Sequence, residues 1–350
     1  KKKKINKSTD HFNTKLYTGN NSVRTETGVG FQPDWVWIKD RTQAGHNHNL
    51  LDVVRGAPKI IMSDSSAAQI TDSTDGLTAF TSDGFSLGAN TSGTQSQELN
   101  KNGNNYVAWN WKAGTTSGIT TNGSTTITPT AYSFNATAGF SIIKYTGNGT
   151  TGAKYPHGLG VAPKMVIVKN LGTTDWWNVH HASLGNNSEL YLNTTDAAPG
   201  STGNGTTPDS VNIELEGTGN AHNGSGNNYI AYCFAEKTGY SKFGKYTGNN
   251  SDDGTFIYTG FKPKFVMVKN THDATNWSIT DDFRDGYNTT GNKILYANTN
   301  GTEDSSYAPI DHLSNGFKIR LNTEGYNGNG GDYIYMAFGQ SLVGSNNVPC

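Results

Sequence analysis

Pro163-Lys-Met-Val-Ile-Val-Lys169 is a seven-residue stretch whose design recurs at two other places in the chain. The related stretches are Pro33-Asp-Trp-Val-Trp-Ile-Lys39 and Pro263-Lys-Phe-Val-Met-Val-Lys269. Each is short and apolar, and each begins with a Pro, whose missing N–H removes no ladder bond at the entrance of a strand. Because apolar side chains occupy both odd and even positions, the pattern predicts a central β-strand that is covered on both faces.

A Tyr-Thr-Gly-Asn motif precedes each Pro-led stretch, and an aromatic stretch follows it. The motif begins at Tyr17, Tyr145 and Tyr246, which lie 16, 18 and 17 residues before the Pro. The aromatic closing stretches are Tyr106-Val-Ala-Trp-Asn-Trp111, Tyr229-Ile-Ala-Tyr-Cys-Phe234 and Tyr333-Ile-Tyr-Met-Ala-Phe338. Three matched anchors in the same order predict three homologous domains of about 100 residues.

These anchors also predict the domain boundaries. We expect an N-terminal tail over 1–11, repeat domains over 12–114, 139–237 and 238–342, a Thr/Gly/Ser-rich connector over 115–138, and a C-terminal tail over 343–350. The connector contains β-prone patches, so it is expected to be structured or to form a hairpin. Many short strands with Gly/Asn turns, and no sustained helical periodicity, predict an all-β fold of three tandem β-sandwich or jelly-roll-like domains. One helical turn is expected near 49–55.

Composition excludes some classes of partner. The 350 residues include 27 Lys and Arg against 28 Asp and Glu, which leaves a net charge of −1. A nucleic-acid-binding protein would carry a basic surplus, so we expect no nucleic-acid partner. No stretch approaches the roughly 18 consecutive apolar residues of a membrane-spanning helix, so we expect no membrane association. The four lysines at 1–4 are expected to be a solvated end, or a basic tail that docks on an acidic neighbour.

No stretch of the sequence has the pattern of a catalytic or metal site. The two close histidine pairs, His46 with His48 and His180 with His181, lack the further ligands that zinc requires. The glycine-rich string over 147–152 matches a dinucleotide fingerprint as letters, but no helix is predicted to follow it. We therefore predict a protein that is not an enzyme and that holds no cofactor and no metal.

A second recurrence places an Asp and an Arg three residues apart, shortly after the Pro-led stretch. The pairs are Asp52 with Arg55 and Asp281 with Arg284, whereas the second repeat has His181 and Leu184. An Asp and an Arg at this spacing can bond bidentately and fix a bend, so we interpret them as structural pairs. Binding of a carboxylated or sulfated sugar is the alternative.

The best candidate for a ligand contact is an aromatic patch in the second repeat. Trp176 stands next to Trp177 and close to His180 and His181. Tryptophan rings stack on the C–H faces of sugars, so Trp176, His180 and His181 are predicted as a glycan contact. Trp177 is expected in the core, because Trp277 occupies its position in the third repeat.

Two long strings resemble repeat domains of virion proteins from marine tailed bacteriophages, cyanophages among them. The first is Thr137-Ala-Gly-Phe-Ser-Ile-Ile-Lys-Tyr-Thr-Gly-Asn-Gly-Thr150 with His157-Gly-Leu-Gly-Val-Ala-Pro-Lys-Met-Val-Ile-Val-Lys169. The second is Gly30-Phe-Gln-Pro-Asp-Trp-Val-Trp-Ile-Lys-Asp-Arg41 with Asn105-Tyr-Val-Ala-Trp-Asn-Trp-Lys-Ala-Gly114. The resemblance covers about residues 12 to 340. It implies a tail-fibre, tail-associated or capsid-appendage protein and brings no catalytic residues.

The sequence thus predicts a non-enzymatic structural protein on the surface of a phage particle, with other virion proteins as partners and a host-surface polysaccharide as ligand. A homo-oligomer, for example a trimer, is expected, with the second apolar face of the Pro-led strands serving as core or as interface. Two alternatives stay open. One is a secreted bacterial adhesin or carbohydrate-binding module, and the other is a polysaccharide depolymerase.

Overall fold

Each repeat of the sequence folds into one large and one small antiparallel sheet. The computed structural model describes residues 4–91, 98–199, 205–285 and 291–342. The predicted C-terminal tail over 343–350 lies outside the described residues, as do the first three lysines. Within the described residues nearly all regular structure is β, and no sheet closes into a barrel. The prediction of an all-β fold is confirmed.

The first repeat contributes nine strands. They are β1 (Phe12–Thr18), β2 (Arg24–Glu26), β3 (Trp35–Asp40), β4 (Asn49–Asp52), β5 (Lys59–Met62), β6 (Ile70–Thr71), β7 (Leu77–Thr81), β8 (Gly84–Leu87) and β9 (Asn105–Trp111). The large sheet has the order β1-β9-β3-β4-β5-β6, and the small sheet has the order β2-β8-β7. The Pro-led strand β3 therefore lies in the interior of the large sheet, next to the closing strand β9.

The second repeat has the same topology. Its strands are β10 (Ala131–Asn135), β11 (Phe140–Thr146), β12 (Ala153–Pro156), β13 (Met165–Asn170), β14 (Trp177–His181), β15 (Leu190–Tyr191), β16 (Thr206–Pro208), β17 (Asn212–Leu215) and β18 (Asn228–Phe234). The sheets have the orders β10-β11-β18-β13-β14-β15 and β12-β17-β16. Strand β10 belongs to the connector and pairs with β11 as a hairpin.

The third repeat again builds a large and a small sheet. Its elements are β19 (Ser241–Thr247), β20 (Phe256–Tyr258), β21 (Lys262–Asn270), β22 (Ser278–Asp281), α1 (Asp282–Asp285), β23 (Leu295–Tyr296), β24 (Ile310–Leu313), β25 (Gly316–Ile319) and β26 (Asp332–Gln340). The orders are β19-β26-β21-β22-β23 and β20-β25-β24.

The three repeats differ in the turn that follows β4, β14 and β22. In the first repeat β4 covers most of the segment 49–55, and a hydrogen-bonded turn follows it, in which Gly56 N–H donates to the Asp52 carbonyl. The second repeat has a 3₁₀ turn at Ala182–Leu184, and the third has the single helical turn α1. The helical turn expected near 49–55 is thus a strand and a tight turn, and its helical counterpart is in the third repeat.

Both faces of each Pro-led strand are buried, as predicted. One face packs against the small sheet of its own repeat, which gives three separate sandwich cores that contain Val36, Val166 and Val266. The other face packs in one hydrophobic cluster that all three repeats share. Its members on the Pro-led and closing strands are Trp35, Trp37, Val107, Trp109, Trp111, Met165, Ile167, Ile230, Tyr232, Phe234, Phe265, Met267, Ile334, Met336 and Phe338. The second apolar face is therefore a core between the repeats of one chain.

Aromatic rings from different repeats interdigitate in this shared core. The ring of Trp35 stacks on Tyr232 of the second repeat, with the ring centroids 4.5 Å apart. Phe12 stacks on Phe338 of the third repeat at 5.5 Å. Because full burial of one large apolar side chain contributes about 1.5–3 kcal/mol, these contacts bind the three sheets into one body.

The N-terminal segment belongs to this body over its described residues. Ile5 is buried in the shared core, and its N–H donates to the Thr238 carbonyl. The Ser8 N–H donates to the side-chain oxygen of Gln340 at 2.7 Å. The part of the predicted tail from residue 4 to residue 11 is thus held against the third repeat.

Candidate functional site

The Asp–Arg pair of the first repeat joins that repeat to the second one. The guanidinium of Arg55 forms a fully buried ion pair with Asp52 at 2.5 Å and donates a further hydrogen bond to the Leu50 carbonyl at 2.8 Å. The hydroxyl of Tyr232, on the closing strand of the second repeat, donates to the Asp52 carboxylate at 2.7 Å. Because every polar atom in this arrangement faces protein, the pair positions neighbouring strands and is closed to a sugar.

The Asp281–Arg284 pair of the third repeat joins that repeat to the first one. Arg284 forms a buried ion pair with Asp281 at 2.6 Å. The indole Nε1–H of Trp109, on the closing strand of the first repeat, donates to the same carboxylate at 3.0 Å. Glu303 accepts from both Arg284 and Arg41 and so ties the two repeats further.

The second repeat has no Asp–Arg pair, and the closing strand of the third repeat, which lies next to it, explains the difference. The residue that corresponds to Tyr232 and Trp109 on the closing strand of the third repeat is Met336, which has no hydrogen-bond donor. A buried Asp there would lack that partner, which is costly. His181 stands in its place, and its Nε2 contacts the Tyr335 carbonyl at 3.2 Å. The contacts therefore run from repeat one to two, from two to three, and from three back to one.

Two tryptophans make contacts between repeats in the opposite direction. The indole of Trp177 donates to the Met62 carbonyl of the first repeat at 2.9 Å. Trp277 donates to the Tyr191 carbonyl of the second repeat at 3.0 Å. These two tryptophans anchor the second repeat to the first and the third repeat to the second, so Trp177 is in the core as predicted.

Three buried lysines recur in the Pro-led stretches, and two of them, Lys169 and Lys269, make contacts between repeats. Lys39, Lys169 and Lys269 end the Pro-led strands, and burial lowers the pKa of each to about 8. The ammonium of Lys169 donates to the Ser66 carbonyl of the first repeat at 3.0 Å. Lys269 donates to the Thr195 carbonyl of the second repeat at 3.2 Å. The lysine that recurs in all three Pro-led stretches is thus used inside the molecule.

Trp176 points outward where Trp177 points inward. Its side chain is 51% exposed, and its ring packs on Tyr191 with the centroids 4.8 Å apart. The loop before it is fixed on both sides, because the Asp175 carbonyl accepts from Lys169 and the Asp175 N–H donates to Ser66 of the first repeat. The indole is therefore presented on a rigid loop, and Tyr191 donates to the Glu189 carboxylate beside it.

His180 and His181 do not lie beside Trp176 on the surface. They project from opposite faces of β14 and are 3% and 1% exposed, and burial lowers the pKa of both to about 4. His180 lies between the sheets of the second repeat, close to Val166 and Glu189. The three residues predicted as one patch are thus separated by the alternation of the strand. The exposed part of the patch consists of Trp176 and Tyr191, the residue that sequence reasoning missed.

His46 and His48, the other close histidine pair, are also buried, and each contacts a different side chain. His46 pairs with the Asp40 carboxylate at 2.7 Å, and His48 accepts a hydrogen bond from the Trp37 indole at 2.9 Å. Among the described residues no group of three His, Cys, Asp or Glu side chains has the geometry to hold a metal ion. Over the same residues no helix is long and apolar enough to cross a membrane.

A groove in the third repeat was not predicted from the sequence. It is lined by three tyrosines from separate segments of this repeat, Tyr296, Tyr307 and Tyr326, and by Asn276 and Thr275. Tyr296 corresponds to Tyr191, since both end the short strand that follows β22 or β14. This correspondence was the sequence signal from which the place of Tyr296 in the groove could have been predicted.

Comparison with known proteins places the whole three-repeat body in one family. No curated protein and no solved structure matches the chain. A family model, described as Domain of unknown function (DUF7483), matches residues 7–341 and so spans nearly all of the three repeats and the last part of the N-terminal segment. The chain belongs to this family, DUF7483.

Proposed function

We propose that this protein is a non-enzymatic structural component of a tailed phage particle, exposed on the particle surface and engaged in attachment to host-surface glycans. The resemblance of its repeat strings to virion proteins of marine tailed phages supports the particle location. The proposal covers both a tail and a capsid position, with other virion proteins as partners.

The proposal rests on one observation: the polar side chains that recur in the repeats are buried inside the molecule. The Asp–Arg pairs, His181, Lys169 and Lys269 are buried, and their contacts join the repeats. These groups are therefore committed to holding the body together. A closed body of this kind suits a surface that is exposed to proteases and shear, because few segments can open independently.

Trp176 supports the attachment role. Aromatic side chains that are half exposed on rigid loops are typical of recognition surfaces, and the neighbouring Asp175 adds a carboxylate that can bond hydroxyl groups. Trp176 is the one residue of the predicted glycan contact that lies at the surface.

The particle location is tested on purified phage particles that carry the gene for this chain. We expect mass spectrometry to find the protein in intact particles, and antibodies against it to label their surface in electron micrographs. Its absence from particles, together with secretion by a bacterial host, would instead identify an adhesin or carbohydrate-binding module.

The attachment role is tested with the purified chain and host cells. We expect Trp176→Ala to reduce cell binding about tenfold, the loss that follows from removing one well-packed aromatic contact. Phe283→Ala is the matched control, because Phe283 is an aromatic side chain of similar exposure in another repeat. Equal binding by both variants would remove Trp176 from the proposal. Release of reducing sugar from host polymer would make the protein a depolymerase.

A further inference from the structure

We infer that the tyrosine-lined groove of the third repeat is a binding site for a neutral saccharide. The groove has a volume of about 310 Å³, which lies at the lower end of the range of roughly 300–1,000 Å³ for small-ligand sites. It is separate from the Trp176 patch, which lies on the second repeat. The inference deepens the glycan attachment proposed above and rests on it for biological purpose, but binding in the groove is measurable without any particle.

The groove combines aromatic faces with polar side chains. Tyr307 is half exposed at its mouth. Tyr326 is 5% exposed, and its hydroxyl lies beside the hydroxyls of Ser278 and Tyr296. Asn276 and Thr323 add an amide and a hydroxyl to the lining. Aromatic faces with a few polar groups beside them are the lining that small-ligand sites present.

The second repeat shows which kind of group fits on the ring of Tyr296. There the indole of Trp176 packs on Tyr191, which corresponds to Tyr296. The third repeat has Asn276 at the position of Trp176, directly before Trp277 as Trp176 directly precedes Trp177. The smaller Asn276 leaves the face of Tyr296 uncovered. A ring with a flat apolar face can therefore take the place that the indole fills in the second repeat.

The charge of the groove selects among such rings. Among the described residues no charged side chain lines it, and the neighbouring Asp304 carboxylate accepts a hydrogen bond from the Tyr296 hydroxyl at 3.3 Å. An acidic sugar would meet this carboxylate without a cation to balance it. A neutral pyranose offers both a flat C–H face for Tyr296 and hydroxyls that can bond Asn276 and Thr323.

Saturation-transfer NMR on the full chain tests the inference, with the methyl glycosides of glucose, galactose, mannose and N-acetylglucosamine as probes. The decisive variant is Asn276→Trp, which rebuilds in the third repeat the arrangement that the second repeat already has. It is therefore expected to fold, as circular dichroism will verify. Tyr307→Ala removes the half-exposed ring at the mouth as a second test, and Trp176→Ala is the matched control outside the groove.

We expect saturation transfer to at least one glycoside from the unmodified chain and from Trp176→Ala. Asn276→Trp and Tyr307→Ala are each expected to weaken it about tenfold. Absence of transfer to all four glycosides at millimolar concentration would overturn the inference. Transfer that survives Asn276→Trp but is lost in Trp176→Ala would also overturn it and would place the sugar on Trp176 instead. A protein that is absent from phage particles but binds a glycoside in the groove would refute the particle location and leave this site intact.

Discussion

At the scale of single residues, the Tyr-Thr-Gly-Asn motif recurs in three segments because it makes the same hydrogen bonds in every repeat. The hydroxyls of Tyr17, Tyr145 and Tyr246 each donate to the carbonyl just before a buried Asn. Those asparagines, Asn100, Asn223 and Asn327, accept from the backbone N–H of the last motif residue. The motif glycine faces the same loop, and a Cβ on Gly19 would lie 2.2 Å from the Lys101 carbonyl oxygen. The motif thus clamps one loop in every repeat.

Gly19→Ala is therefore expected to destabilise the protein by about 1–3 kcal/mol, because backbone must move to admit the methyl group. Gly123→Ala is the control, since a Cβ there meets nothing within 4 Å. Urea unfolding followed by tryptophan fluorescence measures both. Equal midpoints for the two variants would refute the close approach.

The buried ion pairs give a second residue-scale prediction. Asp52→Ala leaves the Arg55 guanidinium buried without its partner, and we expect a loss of about 3–5 kcal/mol in the free energy of unfolding. Asp253→Ala, which removes an exposed partner of Lys318, is expected to change it little. Similar losses in both variants, measured by urea unfolding, would contradict a special role for the pair.

At the scale of elements, the sequence predicted the strands well and their relations across repeats only in part. The Pro-led strands are apolar on both faces in the sequence, and both faces are buried. No local pattern, however, indicates whether a second apolar face meets another repeat or another chain. The histidines at 180 and 181 were grouped with Trp176 by proximity in sequence, but strand alternation sends them to opposite faces. The groove escaped prediction because its tyrosines come from three separate segments, and no local pattern shows that these segments meet.

Strand β14 offers a test at this scale. Trp177→Phe keeps the ring in the core but removes the indole N–H that serves the Met62 and Ser65 carbonyls. We expect a loss of about 1–3 kcal/mol, the cost of leaving buried acceptors unpaired. Trp176→Phe, one residue earlier and exposed, is the control in thermal unfolding. A larger loss in the control would contradict the assignment of the two faces.

At the scale of the whole molecule, four buried histidines make stability depend on pH. Burial lowers the pKa to about 4 in each of His157, His180, His181 and His222. An unfolded chain binds these protons near pH 6.5, so between pH 6.5 and pH 4 the unfolded state binds more protons than the folded state. The melting temperature is therefore expected to fall as the pH decreases through this window and to be insensitive to these groups above it.

His181→Asn should make that decline shallower by the contribution of one proton. Differential scanning calorimetry at pH 7, 6, 5 and 4 measures the slope. A steeper decline in His181→Asn would contradict the assignment.

The three repeats also close into a single body around one aromatic core, with contacts that run from each repeat to the next and back to the first. The family match over 7–341 spans this body as one unit. Burial of the second apolar face within one chain means that a homo-oligomer is not needed to cover it. The predicted trimer is tested by light scattering on the purified chain.

The shared core is tested most directly by hydrogen–deuterium exchange on the full chain with Trp35→Ala. Trp35 belongs to the first repeat and contacts Tyr232 and Phe234 of the second. We expect faster amide exchange in β18 and β26 of the other two repeats as well as in β3, because loss of the indole loosens a core that all three sheets build. Faster exchange confined to residues 12–114 would show that the repeats are independent domains and would contradict the closed body.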